Sequence, residues 1–340
     1  MRNQRQQYVE RLQRGALADP DDRTLAYLRD IVDEGTLGAS NHVRLIQDLF
    51  VHLCGSVADH EQLRPTVEIT RRFIEETRGV DTPIIANSMR WLFRGLDGCS
   101  ASELCAAVRE RKDEWERDAA GRLDALIRSG VEALRDSDSI LLFDYSSTVS
   151  AIVKAICTNR TTPPTIVVFE SRAIDGGWPY VRDLTSLGVP VRFALDVAME
   201  YEAADADAVL LGVETLRRDG SLLNTIGSRA IARAARAHGA AVYGCCDLLK
   251  MDMGSGGAAM PSPALKEFRQ TLLDARSDGG GIDVAGLRDL VATLAPELES
   301  VPPELLSGYI SDHGVVPPHD IGRLAEAYFA QLQESESTHA

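Results

Sequence analysis

Apolar residues in the first part of the chain recur three and four positions apart. This spacing places them on one face of successive helices. The pattern is seen in Leu25/Leu28/Val32, Val43/Ile46/Leu49/Phe50/Leu53, Ile69/Phe73, Ile85/Met89/Leu92 and Leu123/Leu126/Ile127/Val131/Leu134. It predicts an N-terminal helical bundle over residues 1–135.

The pattern changes at Ile140, where short and continuous apolar runs begin. They cover residues 140–143, 166–169, 189–193, 208–213 and 241–243, with helical stretches and Gly or Pro breakers between them. Buried strands that alternate with helices are typical of a parallel sheet covered on both faces. We therefore expect an α/β protein: a helical domain over 1–135, a Rossmann-like doubly wound parallel sheet over 136–333, and a disordered tail over 334–340.

The charge of the chain limits its partners. Among 340 residues, 51 are acidic and 36 basic, which gives a formal net charge of −15. Such a chain repels phosphate backbones and anionic membranes, so we expect neither nucleic acid nor a membrane as a partner. The polar start, residues 1–7, lacks the apolar core of a signal peptide, and we expect a cytoplasmic protein.

Cysteines and histidines give no sign of a metal or a cofactor. Six cysteines contain no C-x-x-C pair, and seven scattered histidines contain no H-E-x-x-H motif. We expect the thiols to stay reduced and to pack as small apolar side chains, with no metal site. No cofactor is expected.

The turn after the first predicted strand carries the first candidate ligand residues. Asp144 is followed by Tyr145, Ser146, Ser147 and Thr148, just before a predicted helix. Hydroxyl groups and backbone N–H groups at a helix N-terminus favour an anion. A simple helix cap formed by one of the serines explains the same residues equally well.

Later turns add further candidates at the same edge of the predicted sheet. Arg172, followed by Gly176 and Gly177, suits a phosphate or a carboxylate, or else forms a surface ion pair. Asn224 could hold a ligand oxygen or cap the helix that starts at Ser228. Lys250 lies near the same rim, where a solvated lysine is the alternative.

Two carboxylates follow predicted strands and can be considered as a pair. Asp144 follows the run 140–143, and Glu214 follows the run 208–213. Two carboxylates can share the acid and base roles of a proton transfer when their environments differ. Otherwise they are hydrogen-bonded loop residues.

Taken in order, these turns resemble the initiation factor 2B alpha/beta/delta-like family. That family includes translation factor subunits, methylthioribose-1-phosphate isomerase and ribose-1,5-bisphosphate isomerase. The similar segments are Asp144–Val149, Glu170–Arg172, Gly212–Glu214, Asp219–Ser221, Asn224, Ile226–Ser228, Lys250, Val301–Leu306 and Ile310–Pro318. The resemblance implies a helical domain, a Rossmann-like domain, a phosphorylated sugar or nucleotide as ligand, and a homodimer formed through the C-terminal domain.

Departures from the isomerase pattern fall on reactive positions. The isomerases carry a catalytic cysteine where this chain has Asp144 and a catalytic aspartate where it has Glu214. They have a lysine at the position of Thr225, and their Gln-Gly-x-Arg segment corresponds to residues 176–179, Gly-Gly-Trp-Pro, here. In the N-terminal region, the resemblance places Gly38 in a phosphate loop and makes Arg90 a ligand contact, although a helix-surface arginine is the alternative.

Two hypotheses about function follow. The first is a sugar-phosphate isomerase that acts on a phosphorylated pentose or a nucleoside-derived sugar, with Asp144 and Glu214 as the acid and base. The second is a regulatory protein that binds a sugar phosphate or a nucleotide without catalysis, as the translation factor subunits are expected to do. A buried Asp144 facing Glu214 across an open pocket would favour catalysis, whereas Asp144 in a salt bridge, with Trp178 filling the pocket, would favour binding alone.

Overall fold

A computed structural model describes residues 4–32, 39–80, 82–254 and 298–337. The chain forms two compact units. The first comprises Met1–Arg122, Leu249–Met253 and Ala325–Ala340, and the second comprises Leu123–Leu248 and Gly254–Leu324. The division of the chain after Arg122 falls inside one long helix, Ala101–Ala133.

The first unit is helical, as its apolar spacing predicts. Its helices are α1 (Gln4–Arg14), α2 (Asp22–Ile31), α3 (Ala39–Ser56), α4 (His60–Ile74), α5 (Pro83–Phe93) and the first part of α6 (Ala101–Ala133), with a π-helical turn at Glu75–Gly79. Asp21 caps α2 by accepting a hydrogen bond from the N–H of Thr24 at 2.7 Å. The helices enclose a core in which Phe50 meets Phe93 edge to face at 4.8 Å.

The expectation that all six thiols stay reduced is wrong for one pair. Cys54 and Cys105 form a disulfide, with their Cα atoms 5.4 Å apart. Cys54 lies near the end of α3 and Cys105 in the second turn of α6, so only the packing of these two helices brings them together. A separation of 51 residues carries no local signal. Cys99, Cys157, Cys245 and Cys246 are free thiols.

The second unit contains a mostly parallel sheet in the described part of the chain. Its strands are β1 (Ser139–Phe143), β2 (Thr165–Phe169), β3 (Val191–Ala194), β4 (Ala208–Gly212), β7 (Ala241–Cys245), β9 (Gly308–Ser311) and β10 (Gly314–Val316). They run in the order β10-β9-β7-β4-β1-β2-β3, and only β10 is antiparallel to its neighbour. The α/β fold expected from the sequence is confirmed.

Helices connect the parallel strands of the second unit. They are α7 (Ser147–Asn159), α8 (Trp178–Thr185), α9 (Met199–Ala203) and α10 (Ser228–Ala237). β1 and β4 are neighbours, with Phe143 opposite Leu211, and both are almost fully buried. The chain winds outward from β1 through β2 to β3, and from β4 through β7 to β9. The order of the strands therefore reverses between β1 and β4, which is where doubly wound sheets bind ligands.

A second, smaller sheet was not predicted from the sequence. β5 (Thr215–Leu216), β6 (Leu222–Thr225) and β8 (Leu298–Val301) form it as antiparallel neighbours. Residues 222–225, just before the helix that the sequence predicts from Ser228, form the middle strand of this sheet. The last helix, α11, spans Pro318–Ser337 and thus enters the range 334–340 that was expected to be disordered.

Candidate functional site

The candidate site lies at the carboxyl ends of β1 and β4. Asp144 directly follows β1, and Glu214 lies two residues beyond the end of β4. The two strands are adjacent and parallel, so their carboxyl ends meet at the same edge of the sheet. The two candidate carboxylates thus flank the point at which the strand order reverses.

Asp144 is buried and held in an unusual backbone conformation. Its φ of 58° lies in the left-handed region, which non-glycine residues rarely adopt. One carboxylate oxygen accepts a hydrogen bond from the N–H of Tyr145 at 2.8 Å, and the other accepts one from the hydroxyl of Thr225 at 2.7 Å. Gly176 packs so closely that a Cβ there would lie 2.4 Å from Oδ1 of Asp144. Such strain is often found at functional sites.

Glu214 differs from Asp144 in its surroundings. It is half-buried, and its backbone N–H donates to the carbonyl of Leu223 at 2.9 Å. Within the described residues its carboxylate has no hydrogen-bonding or ionic partner. One carboxylate of the pair is thus fixed by hydrogen bonds, and the other is free to meet a ligand or a proton.

The N-terminus of α7 stands beside Asp144. Ser146 caps this helix, because its hydroxyl accepts a hydrogen bond from the N–H of Val149 at 3.4 Å. The predicted capping role is therefore present, and a Cβ at Gly212 would lie 2.8 Å from the Cβ of Ser146. Ser147 is the first residue of the helix. Their placement at a helix N-terminus is compatible with binding an anion.

Tyr180 is a site residue that the sequence analysis missed. Its phenol oxygen accepts the N–H of Ser146 at 2.9 Å. Burial raises the pKa of Tyr180 well above its ordinary value, and the charge of Asp144 raises the pKa further. The phenol thus stays protonated beside the site. An aromatic residue in an amphipathic helix looks like ordinary core from sequence, so no signal pointed to it.

Tyr145 is turned toward a different network. Its hydroxyl donates to Asp183 at 3.1 Å, and Asp183 also accepts from the Ser150 hydroxyl at 2.8 Å and from Lys154 at 2.9 Å. Burial opposes ionisation of Asp183, but the hydrogen bonds from Lys154, Ser150 and Tyr145 outweigh it and lower the pKa of this carboxyl. The phenol of Tyr145 is therefore tied to α8.

The turn after β2 carries the next predicted residues. Arg172 is exposed, and its guanidinium pairs with Asp175 at 3.1 Å, which is the surface ion pair considered as the alternative. Gly177 is required by its backbone, since a Cβ there would lie 2.2 Å from the carbonyl oxygen of Phe169. Ser171 is fully buried with φ of 49°, and its hydroxyl has no partner among the described residues.

β6 brings Asn224 and Thr225 to the site. The amide of Asn224 donates to the hydroxyl of Ser228 at 2.9 Å, and its oxygen lies 3.7 Å from a Cβ placed at Gly212. Thr225 reaches Asp144 as described above, although the sequence analysis did not count it among the site residues. Asn224, Ser146 and Asp144 are thus brought together around the ends of β1 and β4.

Three more predicted residues, Arg90, Lys250 and Gly38, belong to the first unit. Arg90 lies in α5 and Lys250 in the 3-10 turn Leu248–Lys250. The guanidinium of Arg90 donates to the side chain of Asn87 at 3.1 Å. Asn87 also donates to the carbonyls of Leu249 and Met251, which anchors the short segment 249–253 within that unit. Gly38 lies outside the described residues.

The described residues contain neither a cluster of metal-binding side chains nor a membrane-spanning helix. No group of three or more His, Cys, Asp or Glu side chains in residues 4–32, 39–80, 82–254 and 298–337 could hold a metal ion. Over the same ranges, no helix is long and apolar enough to cross a membrane.

Comparisons with known sequences show what this chain is similar to. The model of the initiation factor 2 subunit family matches residues 54–318. The ribose 1,5-bisphosphate isomerase of Haloterrigena turkmenica is 27% identical over 247 residues, which cover 73% of this chain and 75% of that protein. The ribose 1,5-bisphosphate isomerase of Haloferax volcanii is 26% identical over 275 residues, with 81% and 82% covered.

Solved structures share the fold. The translation initiation factor eIF-2B of Pyrococcus horikoshii OT3 superposes with a TM-score of 0.71 at 19% identity, covering 89% of this chain and all of that one. The 5-methylthioribose 1-phosphate isomerase of the same organism also gives a TM-score of 0.71 at 17% identity, covering 92% and 88%. At these identities the likeness concerns the fold alone.

Proposed function

Because the chain belongs to the initiation factor 2 subunit family, we propose that it is a sugar-phosphate isomerase. Its substrate would be a phosphorylated pentose or a nucleoside-derived sugar. The relatives named ribose 1,5-bisphosphate isomerase, each aligned over about three quarters or more of its length, support this substrate class. The observation that carries the proposal is the position of Asp144 and Glu214 on either side of the strand-order reversal.

The chemistry of an aldose–ketose isomerisation explains why two carboxylates would serve. The reaction moves a hydrogen from C2 of the sugar to C1, so one group must take a proton and one must return it. Asp144 is held rigidly by the Tyr145 N–H and the Thr225 hydroxyl, whereas the Glu214 carboxylate has no partner in the described part of the chain. We assign the acid and base roles to this pair.

Binding of the phosphate is proposed for the neighbouring groups. Ser146 and Ser147 stand at the N-terminus of α7, whose N–H groups attract an anion. Asn224 and the glycine turn at Gly177 lie on the same edge, and we keep Tyr145, Arg172, Arg90, Lys250 and Gly38 as proposed ligand residues. We also propose a cytoplasmic location and a homodimer, the latter implied by the family resemblance.

The test is turnover of defined substrates by the purified 340-residue chain. Ribose 1,5-bisphosphate and methylthioribose 1-phosphate would each be incubated with the protein and followed by ³¹P and ¹H NMR. We expect a ketose phosphate from one of them. Asp144→Asn should lower kcat by about 10²–10⁴-fold, the usual contribution of a general acid or base. Its Kd for the substrate, measured by calorimetry, should change little.

The matched control is the same Asp→Asn substitution at a carboxylate away from the candidate site. Asp207 accepts hydrogen bonds from the N–H groups of Asp138 and Ser139 at the opposite, amino end of the same strands. Asp207→Asn should leave kcat unchanged. Full turnover by Asp144→Asn would overturn the assignment of Asp144, and conversion of neither substrate by the wild-type protein would overturn the proposed reaction.

A second function, ligand binding without catalysis, is favoured by one observation. Both oxygens of Asp144 already accept hydrogen bonds from the protein, as a carboxylate with a positioning role would. Trp178, by contrast, is exposed and stacks on Phe193 at 4.6 Å, so the arrangement that would have pointed to binding alone is not the one observed. Stabilisation by ribose 1,5-bisphosphate in a thermal shift assay, without conversion, would support this second function.

A further inference from the structure

The helical first unit contains a cavity of about 210 Å³ that is not part of the candidate site. It lies where α4, the end of α5 and the start of α6 meet, and we call it the α4–α6 cavity. Its apolar lining consists of Val67, Phe93, Leu96 and Leu104. Pockets for drug-sized ligands and cofactors usually measure about 300–1,000 Å³, so this cavity suits a smaller molecule.

Charged side chains of both signs complete the lining, namely Arg64, Glu68, Arg71, Arg72 and Asp97. Glu68 already has partners, because it accepts hydrogen bonds from Nε of Arg71 at 3.1 Å and from Nε of Arg72 at 2.7 Å. Burial raises the pKa of Glu68, but the hydrogen bonds from the two arginines outweigh this effect and lower the pKa. Glu68 is therefore an ionised and satisfied part of the cavity wall.

Arg64 holds the loop that follows α5 beside α4. Its guanidinium donates to the carbonyl of Leu96 at 3.2 Å and to the carbonyl of Cys99. Asp97 lies between these two residues in the sequence, so the backbone on both sides of it is tied to α4. The carboxylate of Asp97 thus lines the cavity from a loop that the protein itself holds in place.

Asp97 and Arg72 line the same cavity without pairing with each other. Within the described residues, the carboxylate of Asp97 makes no hydrogen bond and no ion pair. Arg72 uses only Nε, and its two terminal NH₂ groups have no hydrogen-bond partner in the same part of the chain. An anion alone would leave Asp97 unpaired, and a cation alone would leave Arg72 with unused donors. A small molecule that carries both charges satisfies both side chains.

We propose that the α4–α6 cavity binds a free α-amino acid with an apolar side chain. The carboxylate of the ligand accepts hydrogen bonds from the terminal NH₂ groups of Arg72, a contact for which a guanidinium is well suited. The ammonium group pairs with Asp97, and the side chain packs against Phe93, Leu96 and Leu104. The end of a peptide carries only one of the two charges, which favours a free amino acid. All these residues belong to the first unit, so the inference does not rest on the proposed isomerase activity.

The experiment is calorimetric titration of the 340-residue protein with L-leucine, L-methionine and L-valine. We expect at least one of them to bind with a Kd of about 1 mM or tighter. Two probes then remove one charge each from leucine: 4-methylpentanoate lacks the ammonium group, and 3-methylbutylamine lacks the carboxylate. Each should bind about tenfold more weakly or worse, because one charged group of the cavity stays unpaired. No binding of the three amino acids at ten times that concentration would overturn the proposal, and equal binding of leucine and 4-methylpentanoate would overturn the amino acid as the ligand.

Variants test whether the ligand occupies this cavity. Asp97→Asn and Arg72→Gln should each raise the Kd of the amino acid about tenfold or more. Asp97 is exposed and the side chain of Arg72 is 66% exposed, so unchanged circular dichroism spectra should show that both variants fold. The controls are Asp113→Asn, at an exposed position on α6, and Arg14→Gln, at the end of α1, which should leave the Kd unaltered.

An unchanged Kd in both Asp97→Asn and Arg72→Gln would place the amino acid elsewhere and overturn the α4–α6 cavity as its site. The titration requires no turnover of a sugar phosphate. Its failure would leave the proposed isomerase untouched, and an inactive protein that binds the amino acid would leave this inference standing.

Discussion

The hydroxyl of Thr225 donates a hydrogen bond of 2.7 Å to the carboxylate of Asp144. The two residues are 81 positions apart and come from different sheets, since Asp144 follows β1 and Thr225 ends β6. Both are buried, so the hydrogen bond is made away from bulk water. It joins the small antiparallel sheet to the turn after strand β1 of the main sheet at the candidate site.

Removal of this hydroxyl should weaken both folding and the site. Thr225→Val keeps the shape of the side chain and deprives a buried carboxylate of a donor, which we expect to lower the free energy of unfolding by about 1.5–3 kcal/mol. Urea unfolding followed by circular dichroism measures this. Thr215→Val is the control, because Thr215 is buried on β5 and its hydroxyl makes no hydrogen bond within the described residues. Equal losses in the two variants would contradict a special role for Thr225.

The close contact between Gly176 and Asp144 gives a second prediction. Gly176→Ala places a Cβ 2.4 Å from a carboxylate oxygen, so Asp144 has to move. If Asp144 acts in catalysis, a shift of this size should lower kcat by about 100-fold. Steady-state kinetics with whichever of the two test substrates is converted would measure it. The control is Gly121→Ala, at an open position on α6, which should leave kcat unaltered and slightly raise the free energy of unfolding. A normal kcat in Gly176→Ala would show that the geometry of Asp144 is not critical.

Stability should depend on pH through Asp183. Its pKa is lowered in the folded protein, since the hydrogen bonds from Lys154, Ser150 and Tyr145 outweigh the effect of burial. A lowered folded pKa stabilises the protein above the ordinary carboxyl value of about 3.9, and that stabilisation is lost as the pH falls through this value toward the folded one. Unfolding measured from about pH 6 to pH 3 should therefore show a steeper loss in the wild type than in Asp183→Asn.

The same variant has a predicted effect at neutral pH. Asp183→Asn should lower the free energy of unfolding by about 1–3 kcal/mol, because a charged acceptor shared by three donors is lost. Asp205→Asn, at an exposed position, serves as the control. Parallel pH profiles for the wild type and Asp183→Asn would contradict the assignment of the acid-sensitive stability to this carboxyl.

The Cys54–Cys105 disulfide should stabilise the helical unit. A cross-link over 51 residues restricts the unfolded chain and is expected to contribute about 4 kcal/mol. Alkylation of the unfolded, unreduced protein should modify four thiols, and reduction should expose two more. Cys54→Ser should lower the midpoint of unfolding as reduction does, with Cys99→Ser as the control. Six reactive thiols without reductant would show that the pair is not bonded.

The parallel sheet could be predicted because strands that are buried on both faces are continuous apolar runs in the sequence. β1 and β4 are such runs, and the residues after them are polar, so the sequence predicts Asp144 and Glu214 at the carboxyl ends of these strands. The family resemblance rested on the same turns. Structural features that depend on neighbouring residues, or on a regular spacing of apolar residues, could therefore be predicted from the sequence.

Features that depend on distant pairing were not accessible. β6 is a strand because β8, more than 70 residues later, pairs with it. The sequence near Leu222 does not predict this pairing. The roles of Thr225 and Tyr180 follow from such packing, as does the disulfide. Arg172 illustrates the same limit: the sequence leaves open whether this cation meets a ligand or a surface partner, and the structure pairs it with Asp175, three residues away.

The pairing of β6 with β8 also determines when the site is finished during synthesis. Glu299, in β8, accepts hydrogen bonds from the N–H groups of Gly227 and Arg229, both at 2.8 Å, and so satisfies the start of α10 from a strand made much later. Strands β1 to β4 can pair while the ribosome is still at work, but the turn from Asn224 to Ser228 waits for residue 299 to emerge. We therefore expect the nascent chain to pair β1 with β4, and so to bring Asp144 and Glu214 to one edge, before the non-local pairing of β8 with β6 completes the turn from Asn224 to Ser228.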